Sequence, residues 1–165
     1  QRQMCIRDRY RDRYIKRCNY THPIVRNFAA QLAGQHPGEF NIAQVCDIYD
    51  YYKKNWKYVN DPQIRDKGGK DYFAFASETI QNNLNGDCDD FAISCRALLK
   101  EKGHDCRLIY CKTEKGGGHL VCIIGKMILD NRMKFPVEIK YLTQKGYELI
   151  SASGLNPGDE WRKIL

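Results

Sequence analysis

Three short strand-like segments, separated by glycine turns, constrain the fold of this chain more than any other feature of its sequence. Residues 106–112 alternate between apolar and polar side chains, and three glycines at 116–118 follow them. Residues 119–124 are mainly apolar, and Gly125-Lys126 separates them from a last segment at 127–130. A period of two is typical of strands, and a two-residue loop that starts with glycine is typical of a β-hairpin. The pattern predicts an antiparallel sheet.

The two-residue loop also predicts which residues face each other across the hairpin. It places Ile123 opposite Ile128 and Val121 opposite Asp130. Paired residues, and residues two apart along one strand, project from the same face of a sheet. His119 and Asp130 are therefore predicted to be diagonal neighbours on one face, where a carboxylate can orient an imidazole. A shift of one residue in the pairing would move Asp130 to the opposite face.

A cysteine lies in the first turn of a predicted helix. Asn85-Gly86-Asp87 is a turn and capping signal, apolar residues then recur at helical spacing, and Gly103 follows the last turn. The helix is predicted from about Asp87 to Lys102. Cys88 would lie where unpaired N–H groups and the helix dipole stabilise a thiolate. Neighbouring carboxylates oppose this effect, so the thiol needs a cationic partner; they belong to Asp87, Asp89 and Asp90.

The rest of the chain predicts two further helices and no second domain. One apolar stripe follows Thr21-His22-Pro23 through residues 24–32, and another runs from about Asn41 to Asn55. Residues 59–71 combine charges with proline and glycine and are predicted to form a loop. The length of 165 residues is typical of one domain, since domains have roughly 100–200 residues. We expect residues 18–165 to form a single α+β domain.

The first seventeen residues differ from the rest of the chain in charge. They carry seven basic and two acidic side chains, so most of the formal net charge of +7 lies there. The tetrad Arg-Asp-Arg-Tyr also occurs twice in succession, at 7–10 and 11–14. We interpret residues 1–17 as a basic extension outside the fold: a solvated helix turn, a disordered segment or sequence foreign to the natural domain. Because residues 18–165 are nearly balanced in charge, nucleic acid is not the expected partner, and binding through the extension is the weakest functional hypothesis.

The eight cysteines are predicted to be free thiols of a cytoplasmic protein. They form no Cys-x-x-Cys pair and no secretion signal precedes them, so zinc-ribbon, thioredoxin and disulfide frameworks are not indicated. A zinc site built from Cys106, Cys111, His104 and His119 matches no standard spacing, so we expect no bound metal. His104 follows a glycine and is interpreted as a surface residue. No apolar run is long enough to span a membrane.

A first-turn cysteine, a strand histidine and an aspartate on the same sheet face supply the three parts of nucleophilic catalysis. Cys88 would attack an acyl carbon, His119 would take the thiol proton and return it to the leaving group, and Asp130 would orient the imidazole. The backbone N–H of Cys88 can donate to the oxyanion. The sequence constrains a side-chain donor less well; the candidates are Gln81, Asn83 and Trp56.

The residues around these three positions resemble the transglutaminase-like superfamily. The resemblance is carried by the run Gly86-Asp87-Cys88-Asp89-Asp90-Phe91-Ala92, by Gly118-His119 at the start of a strand, and by Leu129-Asp130. The first of these motifs is fairly specific, and the other two gain weight from their order and spacing. The resemblance covers roughly residues 41–131.

The resemblance implies a papain-like α+β fold, in which a helix that carries the cysteine packs on an antiparallel sheet that carries the histidine and aspartate. Carried over by position, the catalytic triad is Cys88, His119 and Asp130. Many members have an aromatic residue soon after the histidine, whereas Leu120-Val121-Cys122 follows it here. The large calcium-dependent members have extra domains that 165 residues cannot hold, so no calcium requirement and no cofactor are expected.

These observations predict thiol-dependent acyl transfer at an amide bond of a protein or peptide. The acceptor is water in a peptidase or amidase, and an amine in a transglutaminase. Hydrolysis is favoured, because crosslinking requires a site that excludes water in favour of a lysine amine. The alternative is a transglutaminase-like domain that has kept the fold as a binding or scaffold module without turnover.

Overall fold

In the computed structural model, which describes residues 11, 13–39, 41–60 and 72–164, helices pack against both faces of a six-stranded sheet. The helices are α1 (Pro23–Leu32), α2 (Ile42–Asn55), α3 (Ala76–Gln81), α4 (Cys88–Glu101) and α5 (Ile139–Gln144). The strands are β1 (Lys57–Tyr58), β2 (Asn85–Gly86), β3 (Cys106–Lys112), β4 (Gly118–Ile124), β5 (Met127–Leu129), β6 (Val137–Glu138), β7 (Glu148–Ala152) and β8 (Arg162–Lys163). This is the α+β architecture that the sequence predicts.

The main sheet has the strand order β6-β5-β4-β3-β7-β8, and every neighbouring pair is antiparallel. The hairpin of β4 and β5 has the predicted register, with Ile123 opposite Ile128. Gly125 has a φ of 57°, as a glycine at the first position of such a loop can adopt without strain. The strand ends at Leu129, so Asp130 follows directly after it.

Helix α4 is the central helix of the fold. All of its residues from 90 to 99 are buried, which is expected of a helix that is covered on every side. It packs against β3 and β4 on one side and against α1, α2 and α3 on the other. Its observed bounds agree with the predicted helix from Asp87 to Lys102, which serve as its two caps. The packing of α4 on the sheet therefore fixes where the first turn of this helix lies relative to β4.

Helices α1 and α2 confirm the two predicted apolar stripes. Asn41 caps α2 by accepting the N–H of Ala43 at 2.9 Å. His22 caps α1, since its ring accepts the N–H of Ile24 at 3.3 Å. The predicted loop at 59–71 lies for the most part outside the described residues. None of the helices described is long and apolar enough to cross a membrane.

The expectation that residues 1–17 lie outside the fold does not hold for the part of them that the structure describes. Residues 13–17 are helical, and Tyr14 and Ile15 are buried in the main core. The Tyr14 ring contacts those of Phe73 and Trp161, with centroids 4.7 and 6.2 Å away. Charged residues dominate the sequence of this segment, but in the helix Tyr14 and Ile15 form an apolar face that packs into the core. Residues 1–10 and 12 lie outside the described residues.

Candidate active site

A cleft of about 390 Å³ opens between the first turn of α4 and the start of β4. Cys88 lines it from the helix and His119 lines it from the strand, so the fold brings the predicted nucleophile and the predicted base to one cavity. The other lining residues are Arg11, Tyr14, Tyr58, Asp87, Asp89, Tyr110, Gly118 and Ile150.

A capping box of carboxylates holds the first turn of α4 and therefore positions Cys88. The side chain of Asp87 accepts the N–H groups of Asp89 and Asp90, at 2.9 and 3.5 Å. The side chain of Asp90 accepts the N–H of Asp87 in return, at 3.3 Å. The capping interaction thus takes up N–H groups on either side of Cys88 and not that of Cys88 itself. The cap therefore leaves the backbone N–H of Cys88, the predicted oxyanion donor, outside its own hydrogen bonds.

The residues just before Cys88 have backbone conformations that few residue types adopt. Asn83 and Leu84 have φ values of 56° and 57°, in the left-handed region that non-glycine residues rarely occupy. Gly86 then passes so close to Asp90 that an added Cβ would lie within 2.4 Å of its carboxylate. Leu84 is buried, and such strained positions persist only where surrounding packing over-determines them. The approach to the cysteine is consequently fixed by packing as well as by the helix cap.

The environment of Cys88 favours the protonated thiol over the thiolate. It donates a hydrogen bond to the Asp89 carboxylate, with sulfur and oxygen 3.7 Å apart. Burial raises the pKa of the Cys88 thiol, and the charges of Asp89 and Asp87 raise it further. The backbone N–H of Leu120 donates to the sulfur and lowers the pKa, but does not offset these effects. Burial and the carboxylates noted in the sequence therefore act in the same direction, against formation of the thiolate.

His119 and Asp130 form a buried hydrogen-bonded pair. The Nε2–H of His119 donates to Oδ1 of Asp130 at 2.8 Å. His119 is 4% exposed and Asp130 is fully buried. Because Nε2 is engaged by the carboxylate, Nδ1 is the ring nitrogen that can take a proton from a thiol. The hairpin register thus places the carboxylate beside the imidazole.

Further hydrogen bonds hold Asp130 in place, as a buried carboxylate requires. The backbone N–H of Arg132 donates to Oδ1 at 2.9 Å, and the Tyr147 hydroxyl donates to Oδ2 at 3.3 Å. The Tyr49 hydroxyl donates to the backbone carbonyl of Asp130 at 2.8 Å. Sequence reasoning identified none of these partners. Only the Arg132 contact had a local signal, because an aspartate commonly accepts the N–H two residues later.

The side-chain oxyanion candidates do not reach this cleft. Gln81 and Asn83 line a separate groove beyond β2. Trp56 packs in the core against Tyr52 and Phe91, with ring centroids 5.8 and 5.0 Å apart. The left-handed turn at residues 83–84 lies between Gln81 and Cys88, so proximity in sequence does not become proximity in space. Of the residues predicted to supply an oxyanion donor, Cys88 is the one that lines the cleft.

His104 is a second correction, since it was expected at the surface. It is fully buried, and its Nε2 lies 3.0 Å from Oε1 of Gln44. Gly103 before it is exposed, so the chain turns into the interior directly after the end of α4. Among the residues described, no three or more histidine, cysteine, aspartate or glutamate side chains are grouped so as to hold a metal ion.

Solved structures of LapG from Legionella pneumophila share this fold. The EGTA-treated form matches with a TM-score of 0.66 at 17% sequence identity, covering 84% of this chain and 75% of that chain. The calcium-bound form matches with a TM-score of 0.62 at 16% identity, covering 84% and 87%. A third LapG structure matches with a TM-score of 0.62 at 19% identity, covering 76% and 70%. No curated protein sequence matches the chain.

A family model provides the sequence-level evidence. The model of the bacterial transglutaminase-like cysteine proteinases, BTLCP, matches residues 13–165. The match begins within the helical segment whose Tyr14 and Ile15 are buried in the core, and it includes the cleft residues Cys88 and His119. The resemblance to the transglutaminase-like superfamily is thereby confirmed. The chain belongs to the bacterial transglutaminase-like cysteine proteinase family and is a transglutaminase-like cysteine peptidase.

Proposed function

We propose that the chain hydrolyses peptide bonds of protein substrates with a triad of Cys88, His119 and Asp130. The observation that carries this proposal is the buried hydrogen bond of 2.8 Å between His119 and Asp130, on the wall of the cleft that also holds Cys88. A cysteine at a helix N-terminus, a histidine and an orienting carboxylate are the parts that thiol catalysis needs.

The raised pKa of the Cys88 thiol defines the first step. Since the thiol is protonated at rest, His119 acts as a general base and takes the proton on Nδ1 while the sulfur attacks the carbonyl carbon. The carbonyl π electrons move onto oxygen, and the backbone N–H of Cys88 donates to the resulting oxyanion. The Asp130 carboxylate stabilises the imidazolium. The thiol must first turn away from Asp89, its partner in the resting structure.

The remaining steps follow from the same groups. The C–N bond breaks as the imidazolium returns its proton to the departing amine, which leaves a thioester on Cys88. A water molecule then attacks the thioester while His119 takes one of its protons. Breaking of the C–S bond releases a carboxylic acid, and the thiolate regains its proton from the imidazolium.

Solvent access supports water as the acceptor. Tyr58 lines the cleft and is 56% exposed, and Cys88 is itself partly exposed, so the cavity is open to solvent. Transfer to an amine requires a site that keeps water away from the thioester. The cleft also carries the apolar surface of Tyr110 and Ile150, which suits a short extended stretch of polypeptide.

A matched pair of cysteine variants tests the proposal. Cleavage of a quenched-fluorescent peptide library is expected for the wild type and for Cys46→Ala, because Cys46 is an exposed thiol on α2 that does not line the cleft. Cys88→Ala is expected to lose cleavage while it keeps its helical circular dichroism. Cleavage that survives in Cys88→Ala, or a wild type that binds peptides without cleaving them, would overturn the proposal and favour the binding module.

The same assay separates the two acceptors when a fluorescent primary amine is added. Hydrolysis predicts that free carboxylates remain the main product at millimolar amine, whereas dominant amine incorporation would show a transglutaminase. Because one LapG structure holds calcium, the expectation that this chain needs none should also be checked. Equal cleavage in EGTA and in added calcium is expected, and loss in EGTA with recovery in calcium would contradict it.

A further inference from the structure

A tyrosine lies behind the proposed triad, at the second oxygen of its carboxylate. The Tyr147 hydroxyl donates to Oδ2 of Asp130 at 3.3 Å, and the Tyr147 ring stands edge-on to the His119 ring, with centroids 6.0 Å apart. Tyr147 is 5% exposed. Burial and the charge of Asp130 raise the pKa of Tyr147, so the phenol keeps the proton that it donates. One side chain therefore contacts both members of the buried pair.

An arginine determines where that phenolic proton points. Nη1 of Arg132 donates to the Tyr147 oxygen at 3.0 Å, and the guanidinium lies over the Tyr147 ring at 5.5 Å. Because a hydroxyl has one proton, a donor on its lone pairs directs that proton to the acceptor on its other side, which is Asp130. The backbone N–H of Arg132 also donates to Oδ1 of the same carboxylate. Arg132 thus acts on both oxygens of Asp130.

A surface glutamate holds the arginine. Glu114 accepts two hydrogen bonds from Arg132, at 3.1 and 2.6 Å, in a bidentate pair. Glu114 belongs to the turn between β3 and β4, whereas Arg132 follows β5. The hydrogen bond to Glu114 is the largest contribution to the raised pKa of Arg132. An exposed ion pair with this bidentate geometry constrains the orientation of the guanidinium.

We propose that Tyr147 and Arg132 are positioning residues of the proposed reaction, and that Glu114 fixes Arg132 for this role. A continuous chain of hydrogen bonds runs from Glu114 at the surface through Arg132 and Tyr147 to Asp130 and His119. It holds the carboxylate in the orientation in which Oδ1 faces Nε2 of the imidazole, and it keeps the imidazole directed to the cleft. The inference rests on the proposed function, since positioning has a consequence only where His119 transfers protons.

Tyr147→Phe is the first test, because it removes the hydroxyl and keeps the ring. With a peptide that the wild type cleaves, kcat is expected to fall about tenfold with KM unchanged, as loss of a hydrogen bond to a charged group predicts. The midpoint of thermal unfolding reports whether the fold is intact. Tyr141→Phe is the matched control, since this tyrosine of α5 is 42% exposed and does not line the cleft. Equal kcat in Tyr147→Phe, Tyr141→Phe and wild type would overturn the proposal.

A charge swap distinguishes positioning from simple tethering. The single variants Arg132→Glu and Glu114→Arg each break the ion pair, and the double variant restores it with the charges exchanged. A tether would recover kcat in the double variant. Positioning predicts that the double variant recovers thermal stability but not kcat, because a carboxylate at position 132 cannot donate to the Tyr147 oxygen. If Tyr147→Phe fails to fold, this comparison decides the matter: recovery of kcat would overturn the proposal.

These experiments separate this proposal from the one on which it depends. A wild type that cleaves through Cys88, combined with full kcat in Tyr147→Phe and in the double swap, removes only the positioning network. A Cys88→Ala protein that still cleaves removes the proposed function itself, whatever Tyr147 does.

Discussion

The two ends of the cleft are built in different ways. At the β4 end, the Asp130 carboxylate is fully buried and accepts hydrogen bonds from His119, Arg132 and Tyr147. At the α4 end, the Cys88 thiol is partly exposed and is bonded to Asp89 rather than to the imidazole. The comparison indicates that the proposed base is organised before substrate arrives, whereas the proposed nucleophile has still to be activated.

The difference has a physical origin in the two elements. In the hairpin, the donors that a buried carboxylate needs also hold Asp130 in the orientation that the proposed mechanism requires. At the helix start, the carboxylates of Asp87 and Asp90 cap the first turn, and the charge of Asp87 raises the pKa of the thiol beside them. The groups that stabilise the fold therefore favour the proposed reaction at His119 and oppose it at Cys88.

The largest effect is expected from breaking the organised end. Asp130→Asn keeps the size of the side chain but removes the charge that, in the proposed mechanism, orients and stabilises the imidazolium. The catalytic rate constant is expected to fall on the order of 10⁴-fold, as in other triads that lose their acid. Steady-state cleavage of a peptide substrate measures it.

Asp105→Asn is the control for this variant, since Asp105 is exposed and does not line the cleft. Its kcat should equal that of the wild type. A fall of less than tenfold in a folded Asp130→Asn protein would show that the buried pair has a structural role only.

A stability measurement tests the α4 end of the cleft, where the capping box lies. Asp90→Ala removes the acceptor of the Asp87 N–H and of the Ala74 N–H, which is 3.0 Å from its carboxylate. With the residue 5% exposed, the free energy of unfolding should fall by about 1–3 kcal/mol. Urea denaturation measures this change, and Asp50→Ala on the exposed side of α2 is the control, with an expected change within about 0.5 kcal/mol. Equal stability in both variants would contradict the role of the capping box.

Asp89→Asn should make the thiol more reactive. The charge of Asp89 raises the pKa of Cys88, so its removal lowers that pKa and enlarges the thiolate fraction at any pH below it. Alkylation by iodoacetamide should be about tenfold faster at about pH 7, the equivalent of roughly one pH unit. Both proteins should react faster as pH rises, with the curve of the variant displaced to lower pH.

Mass spectrometry that follows the alkylation of Cys88 and Cys46 separately supplies an internal control for this measurement. Cys46 is exposed and lies on α2, away from Asp89, so its rate should be the same in both proteins. Superimposable curves for Cys88 would show that Asp89 does not restrain the thiol.

Sequence alone was sufficient where local rules determine geometry. The Gly125 loop set the register, and the register placed His119 and Asp130 together, because a two-residue hairpin leaves no other pairing. It was insufficient where distant segments meet. Tyr147 reaches Asp130 through the order of strands β4, β3 and β7, which no local pattern encodes, and the burial of Tyr14 was hidden by the charges around it.

The smallest expected effect concerns that loop. Gly125 has a φ of 57°, and an added Cβ would meet no atom within 4 Å, so Gly125→Ala is strained by its backbone alone. The free energy of unfolding should fall by about 1 kcal/mol. Gly117→Ala in the neighbouring turn is the matched control, since its φ is not positive and the nearest atom, Thr113 Oγ1, is 3.7 Å away. An equal loss in both variants would mean that the conformation of Gly125 does not secure the register on which the buried pair depends.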